Sequence, residues 1–183
     1  MKKFVFLTGQ PGIGKTTVLL RSIKALEDMG HRVGGMISRE LRESGVRVGF
    51  EIINLVNQEK GWLAHVKQGM GPRVGKYTVN LDDLAEVGVK AIDSALTERE
   101  IAVIVIDEVG PMELYSTQFK EAVRRTLQDR KPLLGTIHFK ARDPLIDFIK
   151  SRPEVQIVKV TYENREKIHE SVVAMIAEAL KGS

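Results

Sequence analysis

The sequence contains no cysteine among its 183 residues, which excludes disulfide bonds, cysteine-ligated zinc and thiol catalysis. It also contains no apolar stretch long enough to cross a bilayer. The apolar run near the N-terminus, at residues 4–7, stops after four residues, which is too short for the hydrophobic region of a signal peptide. We therefore expect a chain that does not enter a membrane and that works in the cytoplasm.

Signatures of nucleic-acid recognition are missing as well. The sequence has no helix-turn-helix pattern, no zinc module and no RNA-binding pattern of aromatic and basic residues. Its formal net charge of +4 and its pI of about 9.3 are compatible with nucleic acid or with a small polyanion. The 28 basic residues are spread along the chain without a dense run, as on an ordinary solvated surface. Nucleic acid is therefore compatible with the charge, but no motif supports it as a partner.

What the sequence does contain is a phosphate-loop (Walker A) pattern at residues 9–16, GQPGIGKT, which fills every fixed position of Gly-x-x-x-x-Gly-Lys-[Ser/Thr]. The apolar run at residues 4–7 predicts a buried strand just before it. The residues that recur at helical spacing just after it are Val18, Leu19, Ile23, Leu26 and Met29. Strand, glycine loop and helix thus follow in the order that a phosphate-binding loop requires.

A loop of this kind captures anions. Glycines at positions 9, 12 and 14 permit backbone torsions that a Cβ would obstruct, so that successive N–H groups turn toward a phosphate at the positive end of a helix. Lys15 would reach the β- and γ-phosphates, and the Thr16 hydroxyl would ligate Mg²⁺. The simpler alternative is a glycine-rich turn before an ordinary helix with an exposed lysine. The strand and helix on either side favour the phosphate loop.

The length of the chain predicts one domain covering residues 1–183. A turn and a strand at residues 30–37 complete a first βαβ unit. Alternation of apolar and polar residues then predicts a β-hairpin over residues 36–55. Weaker patterns predict an edge strand at residues 62–66, a loop, and a short strand at residues 77–79.

The second half of the chain alternates strands and helices. Asn80 and Asp83 predict an N-cap for a helix over residues 81–98, and Leu84, Val87, Ala91 and Ala95 share one face of it. The elements predicted after that helix are a strand at 101–106, a helix at 116–129, a strand at 132–137, a helix at 142–151, a strand at 155–160 and a helix at 163–181. Five core strands alternating with helices predict a three-layer α/β/α fold with a mainly parallel central sheet.

The most apolar strand of the chain, at residues 101–106, ends in Asp107 and Glu108. A buried parallel strand that delivers carboxylates at its C-terminal end is typical of the second phosphate-loop signature, Walker B. Asp107 would hold Mg²⁺ and Glu108 would polarise an attacking water. The alternative is a strand end whose two acids face solvent, and the phosphate loop at residues 9–16 favours the first interpretation.

Several segments together resemble a known family. These are GQPGIGKT at residues 9–16, RELRESGVRVGF at 39–50, DEVGPMEL at 107–114 and TYENR at 161–165. They are similar to the small P-loop nucleoside-triphosphatases first described from thermophiles, one mammalian form of which is called cancer-related nucleoside-triphosphatase. The similarity runs through nearly the whole chain.

The resemblance implies Mg²⁺-dependent hydrolysis of ATP, GTP and other nucleoside triphosphates to the diphosphate and phosphate, with broad base tolerance and slow turnover. The placement of Glu108 directly after Asp107 resembles the branch of phosphate-loop proteins whose core sheet has the order 5-1-4-3-2, and we expect that order here. Pro111 stands where lysine is common in the family, which leaves one fewer cation to stabilise the transition state.

The predicted catalytic residues are Glu108 and Lys15, and the predicted Mg²⁺ ligands are Thr16 and Asp107. The predicted nucleotide-binding residues are Gly9, Gln10, Pro11, Gly12, Ile13, Gly14, Lys15, Thr16, Thr17, Asp107, Glu108, Val109, Gly110, Asn164 and Arg165.

Four further assignments have open alternatives. Glu113 would sit at the mouth of the site or be an exposed acid, and His138 would contact the γ-phosphate or be hydrogen-bonded at a strand end. Arg39 and Arg47 would supply charge to the γ-phosphate in cis or be surface arginines. Asn164 and Arg165 would contact the base or solvate the start of a helix.

Two other functions are compatible with the same motifs. A small-molecule or nucleotide kinase would transfer the phosphoryl group to an acceptor, and it would need a second site that no motif reveals. A nucleotide-gated switch would use slow hydrolysis to reset binding of nucleic acid. The absence of heptads and of a long exposed apolar face predicts a monomer.

Overall fold

The computed structural model of the chain describes residues 2–182. Its strands are β1 (Phe4–Thr8), β2 (Val33–Glu43), β3 (Val46–Asn54), β4 (Lys60–His65), β5 (Arg73–Val74), β6 (Tyr77–Val79), β7 (Val103–Val109), β8 (Leu133–Ile137) and β9 (Val155–Lys159). Its α-helices are α1 (Lys15–Asp28), α2 (Leu81–Asp83), α3 (Lys90–Thr97), α4 (Thr117–Thr126), α5 (Pro144–Ser151) and α6 (Ile168–Lys181). A π-helical segment, Leu84–Val89, joins α2 to α3, and a 3₁₀ turn, Glu113–Tyr115, precedes α4.

The described strands form one nine-stranded sheet in the order β5-β6-β4-β3-β2-β7-β8-β1-β9. The core strands β2, β7, β8, β1 and β9 pair in parallel. When these five strands are numbered 1 to 5 as they appear along the chain, their order across the sheet is 2-3-4-1-5. Read from the opposite edge, this is the predicted order 5-1-4-3-2. The prediction of the core sheet is therefore confirmed.

Two apolar cores lie on the two faces of the sheet and make three layers. On one face, α1 and α6 pack together and cover Val5, Leu7, Val103 and Val105. On the other face, the helical stretch from α2 to α3, with α4 and α5, covers Phe4, Phe6, Ile104 and Ile106. Every residue of β8 is buried, as expected for a strand covered by helices on both faces.

The predicted hairpin is present, and it continues into an antiparallel extension of the core. Strands β2 and β3 pair antiparallel from Met36 with Asn54 to Glu43 with Val46. Strand β4 was expected at the edge, but it lies between β3 and β6. The edge of the sheet is β5, a two-residue strand that pairs with β6 and that is too short to give a periodic signal.

The other element predictions hold with shifted boundaries. The Asn80 side chain caps α2 by accepting the Asp83 N–H, as predicted, and Leu84, Val87, Ala91 and Ala95 are buried. Ser116 similarly caps α4, which ends at Thr126. Met29 was expected on the buried face of α1, but it is the C-cap residue and is 53% exposed.

The last helix begins at Ile168, five residues later than predicted. The segment before it forms a turn, because Thr161 and Asn164 exchange hydrogen bonds between side chain and backbone in both directions. Residues 162–167 are therefore a turn beside the phosphate loop. Within residues 2–182, no helix is long and apolar enough to cross a membrane.

Candidate active site

The loop at residues 9–16 joins the carboxyl end of β1 to α1. Gly14 precedes the first helical residue with φ at 109°, and Gly12 has φ at 77°, a region that favours glycine. A Cβ on Gly9 would lie 2.7 Å from the carbonyl oxygen of Val160, the residue after β9, so there is no room for a side chain there. Ile13 is buried and donates its N–H to the Gln10 carbonyl. The loop thus has the tight, glycine-dependent shape of a phosphate cradle.

Lys15 is the first residue of α1, and its Nζ donates to the Gly9 carbonyl at 3.2 Å. This bond folds the side chain back over the loop. The first turn of a helix leaves N–H groups without intrahelical partners, and the helix end adds partial positive charge. Lys15 and the start of α1 therefore concentrate positive potential where a triphosphate would lie.

Asp107 lies at the end of β7 and is only 2% exposed. Its Oδ2 accepts from Thr16 Oγ1 at 3.1 Å, and its Oδ1 accepts from Thr136 Oγ1 at 2.5 Å. Burial raises the pKa of the Asp107 carboxyl to about 6, and the Thr136 hydrogen bond opposes that rise. The alternative of a solvent-facing Asp107 is wrong, and the predicted meeting of the two motifs is confirmed.

The donors at this point suit Mg²⁺. Thr16 and Asp107 offer one hydroxyl and one carboxylate, and both are hard oxygen ligands. In residues 2–182 no cluster of three or more His, Cys, Asp or Glu side chains forms a cage for a metal. Mg²⁺ typically takes one or two protein oxygens and completes its shell with phosphates and water, so the residues present fit that ion.

Glu108 and Glu113 approach each other over Gly110. A Cβ built on Gly110 would lie 2.8 Å from Oε1 of Glu108 and 3.1 Å from Oε2 of Glu113. Burial raises the pKa of both carboxyls, and the Lys15 charge opposes this for Glu108. Glu113 is 3% exposed, so the interpretation of it as an exposed acid is wrong. Gly110 is needed because both carboxyl groups occupy the space of a side chain.

Two cavities adjoin these groups. We call the first, of about 450 Å³, the loop cavity; its lining includes Gly14, Lys15, Thr16, Thr17, Arg39, Asp107 and Glu108. We call the second, of about 370 Å³, the lateral cavity; its lining includes Pro11, Lys15, Arg47, Phe50, Leu63, Glu108, Pro111, Glu113 and His138. Lys15 and Glu108 line both cavities, so they stand where the two meet.

The residue that follows β8 lies at one wall of the lateral cavity. His138 follows β8, and its N–H donates to the carbonyl of the buried residue Val109 at 3.0 Å. Its Nδ1 accepts from the Lys140 N–H at 3.2 Å. Burial first, and then the charge of Lys15, lower the pKa of the His138 imidazole. His138 therefore lies at the cavity wall, and its backbone N–H and Nδ1 make the strand-end hydrogen bonds that its alternative interpretation predicted.

The two hairpin arginines differ in their surroundings. Arg39 forms an ion pair with Glu51, a buried acid on β3. Arg47 donates from Nε to the Tyr77 hydroxyl at 2.9 Å and from Nη1 to Glu40 at 2.8 Å. Sequence reasoning did not identify Tyr77 or Glu40 as partners, because Tyr77 lies 30 residues from Arg47 and no local pattern links them.

Asn164 and Arg165, which were both predicted to bind the nucleotide, have different surroundings. The Asn164 amide accepts from the Thr161 N–H at 2.8 Å and donates to the Lys159 carbonyl at 2.9 Å, so it holds the turn together. The Arg165 guanidinium lies 5.1 Å from the Tyr162 ring centroid. Arg165 also lines a pocket of about 200 Å³ whose other walls include Gly14, Thr17 and Arg21. Of the two residues, Arg165 is the one beside the loop.

Comparison with known proteins gives a consistent result. Residues 4–173 match the family model described as NTPase. The chain is 44% identical over 176 residues to the nucleoside-triphosphatase THEP1 of Thermofilum pendens, with 96% of each chain covered. Its fold is similar to the crystal structure of THEP1 from Aquifex aeolicus, with a TM-score of 0.80, 30% identity and coverage of 94% of this chain and 98% of the other. It is also similar to a human cancer-related nucleoside triphosphatase, with a TM-score of 0.82, 34% identity and coverage of 96% and 98%.

Proposed function

The chain belongs to the NTPase family, and from that premise we propose that it hydrolyses nucleoside triphosphates to the diphosphate and phosphate, with Mg²⁺ as cofactor. The observation that carries the proposal is the position of Glu108, which shares two cavities with Lys15 and directly follows the buried Asp107 that bonds Thr16. A phosphate site, a metal site and a carboxylate thereby adjoin one another.

The phosphate loop at residues 9–16 binds the phosphates of the nucleotide. The backbone N–H groups of Gly14, Lys15, Thr16 and Thr17 and the Lys15 ammonium hold the β- and γ-phosphates, because a glycine-rich loop at a helix start stabilises negative charge. Val109 is fully buried and Gly110 lies beneath the Glu108 and Glu113 carboxyls, so both support Glu108 and line neither cavity. Arg165 faces the base or sugar from the far side of Gly14, and Asn164 keeps that turn in shape.

Thr16 and Asp107 would hold Mg²⁺, directly or through water. When bound, the ion neutralises charge on the β- and γ-phosphates. Thr136 orients the Asp107 carboxylate, and such hydrogen bonds to a metal ligand commonly fix its direction. The hydroxyl and carboxylate oxygens of this set favour Mg²⁺ over softer metals.

Glu108 acts on the water. Its carboxylate accepts a proton from the attacking water while the water oxygen bonds to the γ-phosphorus. The bond from phosphorus to the bridging oxygen breaks, and its electron pair leaves with the nucleoside diphosphate. Burial raises the pKa of Glu108, which makes its carboxylate a stronger base, and the Lys15 charge opposes that rise.

Base tolerance and slow turnover are part of the proposal. The pocket beside Gly14 offers the guanidinium groups of Arg21 and Arg165, and flat cationic faces stack on every base. Slow turnover fits the lateral cavity, where Pro111 supplies no charge. We also propose a single domain, since all nine described strands share one sheet, and we propose a monomer because the sequence has no heptad pattern.

One observation supports a second candidate, a small-molecule kinase. The lateral cavity of about 370 Å³ is several times larger than the roughly 30 Å³ that one water occupies. Its walls include the apolar side chains of Phe50, Leu63 and Met112. An acceptor hydroxyl would then take the place of the water beside Glu108.

The experiment is phosphate release from ATP, GTP, CTP and UTP by the purified protein, with Mg²⁺ and with a chelator. We expect release from all four nucleotides with Mg²⁺ only, and none from Lys15→Ala. Nucleotide binding without phosphate release from any of them would contradict hydrolysis. A search for labelled γ-phosphate in added nucleosides tests the kinase.

A further inference from the structure

The Arg47 guanidinium is held in a fixed orientation at the wall of the lateral cavity. Nε donates to the Tyr77 hydroxyl and Nη1 to Glu40, while the guanidinium carbon lies 5.2 Å from the Phe50 ring centroid. In the described part of the chain Nη2 has no acceptor of its own. An arginine ordered in this way keeps one end free at little further cost in side-chain entropy.

Two carboxyl groups, those of Glu108 and Glu113, line the lateral cavity near Lys15, and Asp107 adds a third carboxyl nearby, in the lining of the loop cavity. His138 also lines the lateral cavity, and burial lowers the pKa of its imidazole. Phosphoryl transfer spreads negative charge over the γ-phosphate oxygens. Lys15 and Arg47 are the basic side chains that line this cavity in residues 2–182, so Arg47 is the second cation available to that charge.

We propose that Arg47 reaches the γ-phosphate across the lateral cavity and stabilises the transition state of hydrolysis within its own chain, held in place by Tyr77 and Glu40. The inference rests on the proposed function, whose chemical step it completes. Arg47 is a catalytic residue in this account, and Tyr77 and Glu40 are positioning residues.

The neighbouring arginines do not meet the same conditions. Arg39 is paired with the buried Glu51, and breaking that pair would leave an acid uncompensated. Arg42 binds Glu40 and the Gly45 carbonyl at the hairpin tip and lines neither cavity. Arg47 alone among these three combines a place on the lateral cavity with a free Nη2.

The antiparallel extension of the sheet positions Arg47. Tyr77 on β6 is 6% exposed, and its ring packs edge-on against Phe50 on β3 at 5.3 Å. Strands β3, β4 and β6 therefore bring together two residues 30 positions apart and aim one of them at the phosphate site. The extension is a support for a cis-acting arginine.

The test compares Arg47→Ala, Arg47→Lys and Tyr77→Phe with Arg32→Ala as the control, because Arg32 forms an exposed ion pair with Glu100 and lines neither cavity. We expect Arg47→Ala to lower kcat by about 10²- to 10³-fold and to leave affinity for the nucleoside diphosphate unchanged. The Arg47→Ala variant should bind the diphosphate together with aluminium fluoride, a mimic of the transferred phosphoryl group, more weakly than the wild type does. Tyr77→Phe keeps the ring and loses the hydroxyl, so it should lower kcat by a smaller factor at an unchanged melting temperature, a split that a purely structural role would not give.

A mixing experiment separates action in cis from action in trans. Arg47→Ala and Glu108→Gln should each have strongly reduced activity, and an equimolar mixture should be no more active than the average of the two if both groups must belong to one chain. Recovery of activity in the mixture would overturn the cis assignment. An Arg47→Ala variant with wild-type kcat, or loss of kcat in Arg39→Ala alone, would overturn the inference and leave the proposed function intact. A wild-type protein that releases no phosphate would contradict both.

Discussion

Thr136 Oγ1 donates a hydrogen bond of 2.5 Å to Oδ1 of Asp107, from the end of one parallel strand to the end of the next. Thr16 donates to the other oxygen of the same carboxylate. Asp107 is therefore fixed from two sides before any metal arrives, and its direction depends on a residue outside both nucleotide motifs.

Replacing Thr136 with valine keeps the shape of the side chain and removes the donor. The pKa of Asp107 should rise further, because this hydrogen bond lowers it, and the freed carboxylate should bind metal less well. We expect affinity for Mg²⁺ in the nucleotide complex to fall by about 10- to 100-fold, measured as the Mg²⁺ dependence of phosphate release. Thr136→Ser should restore most of it. Equal Mg²⁺ dependence in the valine variant would show that Thr136 does not orient the ligand.

The burial of Asp107 predicts a specific pH dependence of stability. The pKa of Asp107 is about 6 in the folded protein against an ordinary value of 3.8. Between these values the folded protein binds more protons than the unfolded chain, so this group lowers the free energy of unfolding as the pH rises. At pH 8 the cost is about 3 kcal/mol, and it falls to about 0.6 kcal/mol near pH 4 and toward zero at lower pH.

Asp107→Asn removes that cost. Without metal or nucleotide, we expect the variant to exceed the wild type in free energy of unfolding at pH 8 and to come close to it near pH 4, as measured by urea denaturation at both values. Asp28→Asn, at an exposed position, is the control and should show no such trend. A stability difference that does not change with pH would contradict the raised pKa.

Asn164 and Arg165 are neighbours in the turn beside the phosphate loop, and their substitution should affect different properties of the protein. Asn164→Ala loses hydrogen bonds to Thr161 and Lys159 and should lower the free energy of unfolding by about 1 to 3 kcal/mol. Arg165→Ala should leave stability nearly unchanged and weaken nucleotide binding several-fold, since its side chain lines the pocket beside Gly14. Binding titrations and thermal denaturation of both variants measure the split. The opposite assignment, with binding lost only in the asparagine variant, would refute it.

The sequence predicted the parts of the site that short spacing or parallel strand ends bring together. The phosphate loop depends on local glycine torsions, and the carboxyl ends of β1, β7 and β8 meet at one edge because parallel strands share a direction. The convergence of Thr16, Asp107 and His138 was therefore predictable.

Other features depended on contacts between distant residues. The Arg47 partner Tyr77 comes from a three-residue strand in a segment without a clear period. The burial of Glu113 follows from the 3₁₀ turn that carries it back over Gly110, which charge alone did not reveal. The late start of α6 results from the hydrogen bonds of Asn164, which favour a turn over a continuing helix.

The most direct test of the account is the effect of Glu108→Gln on hydrolysis and on binding, measured on the same preparation. Glutamine keeps the size of the side chain and cannot accept the proton of the attacking water. We expect the variant to bind a non-hydrolysable triphosphate analogue with an affinity close to that of the wild type, and to release phosphate in a single turnover about 10²-fold or more slowly. Phosphate release at the wild-type rate would contradict the assignment of Glu108 to the chemical step.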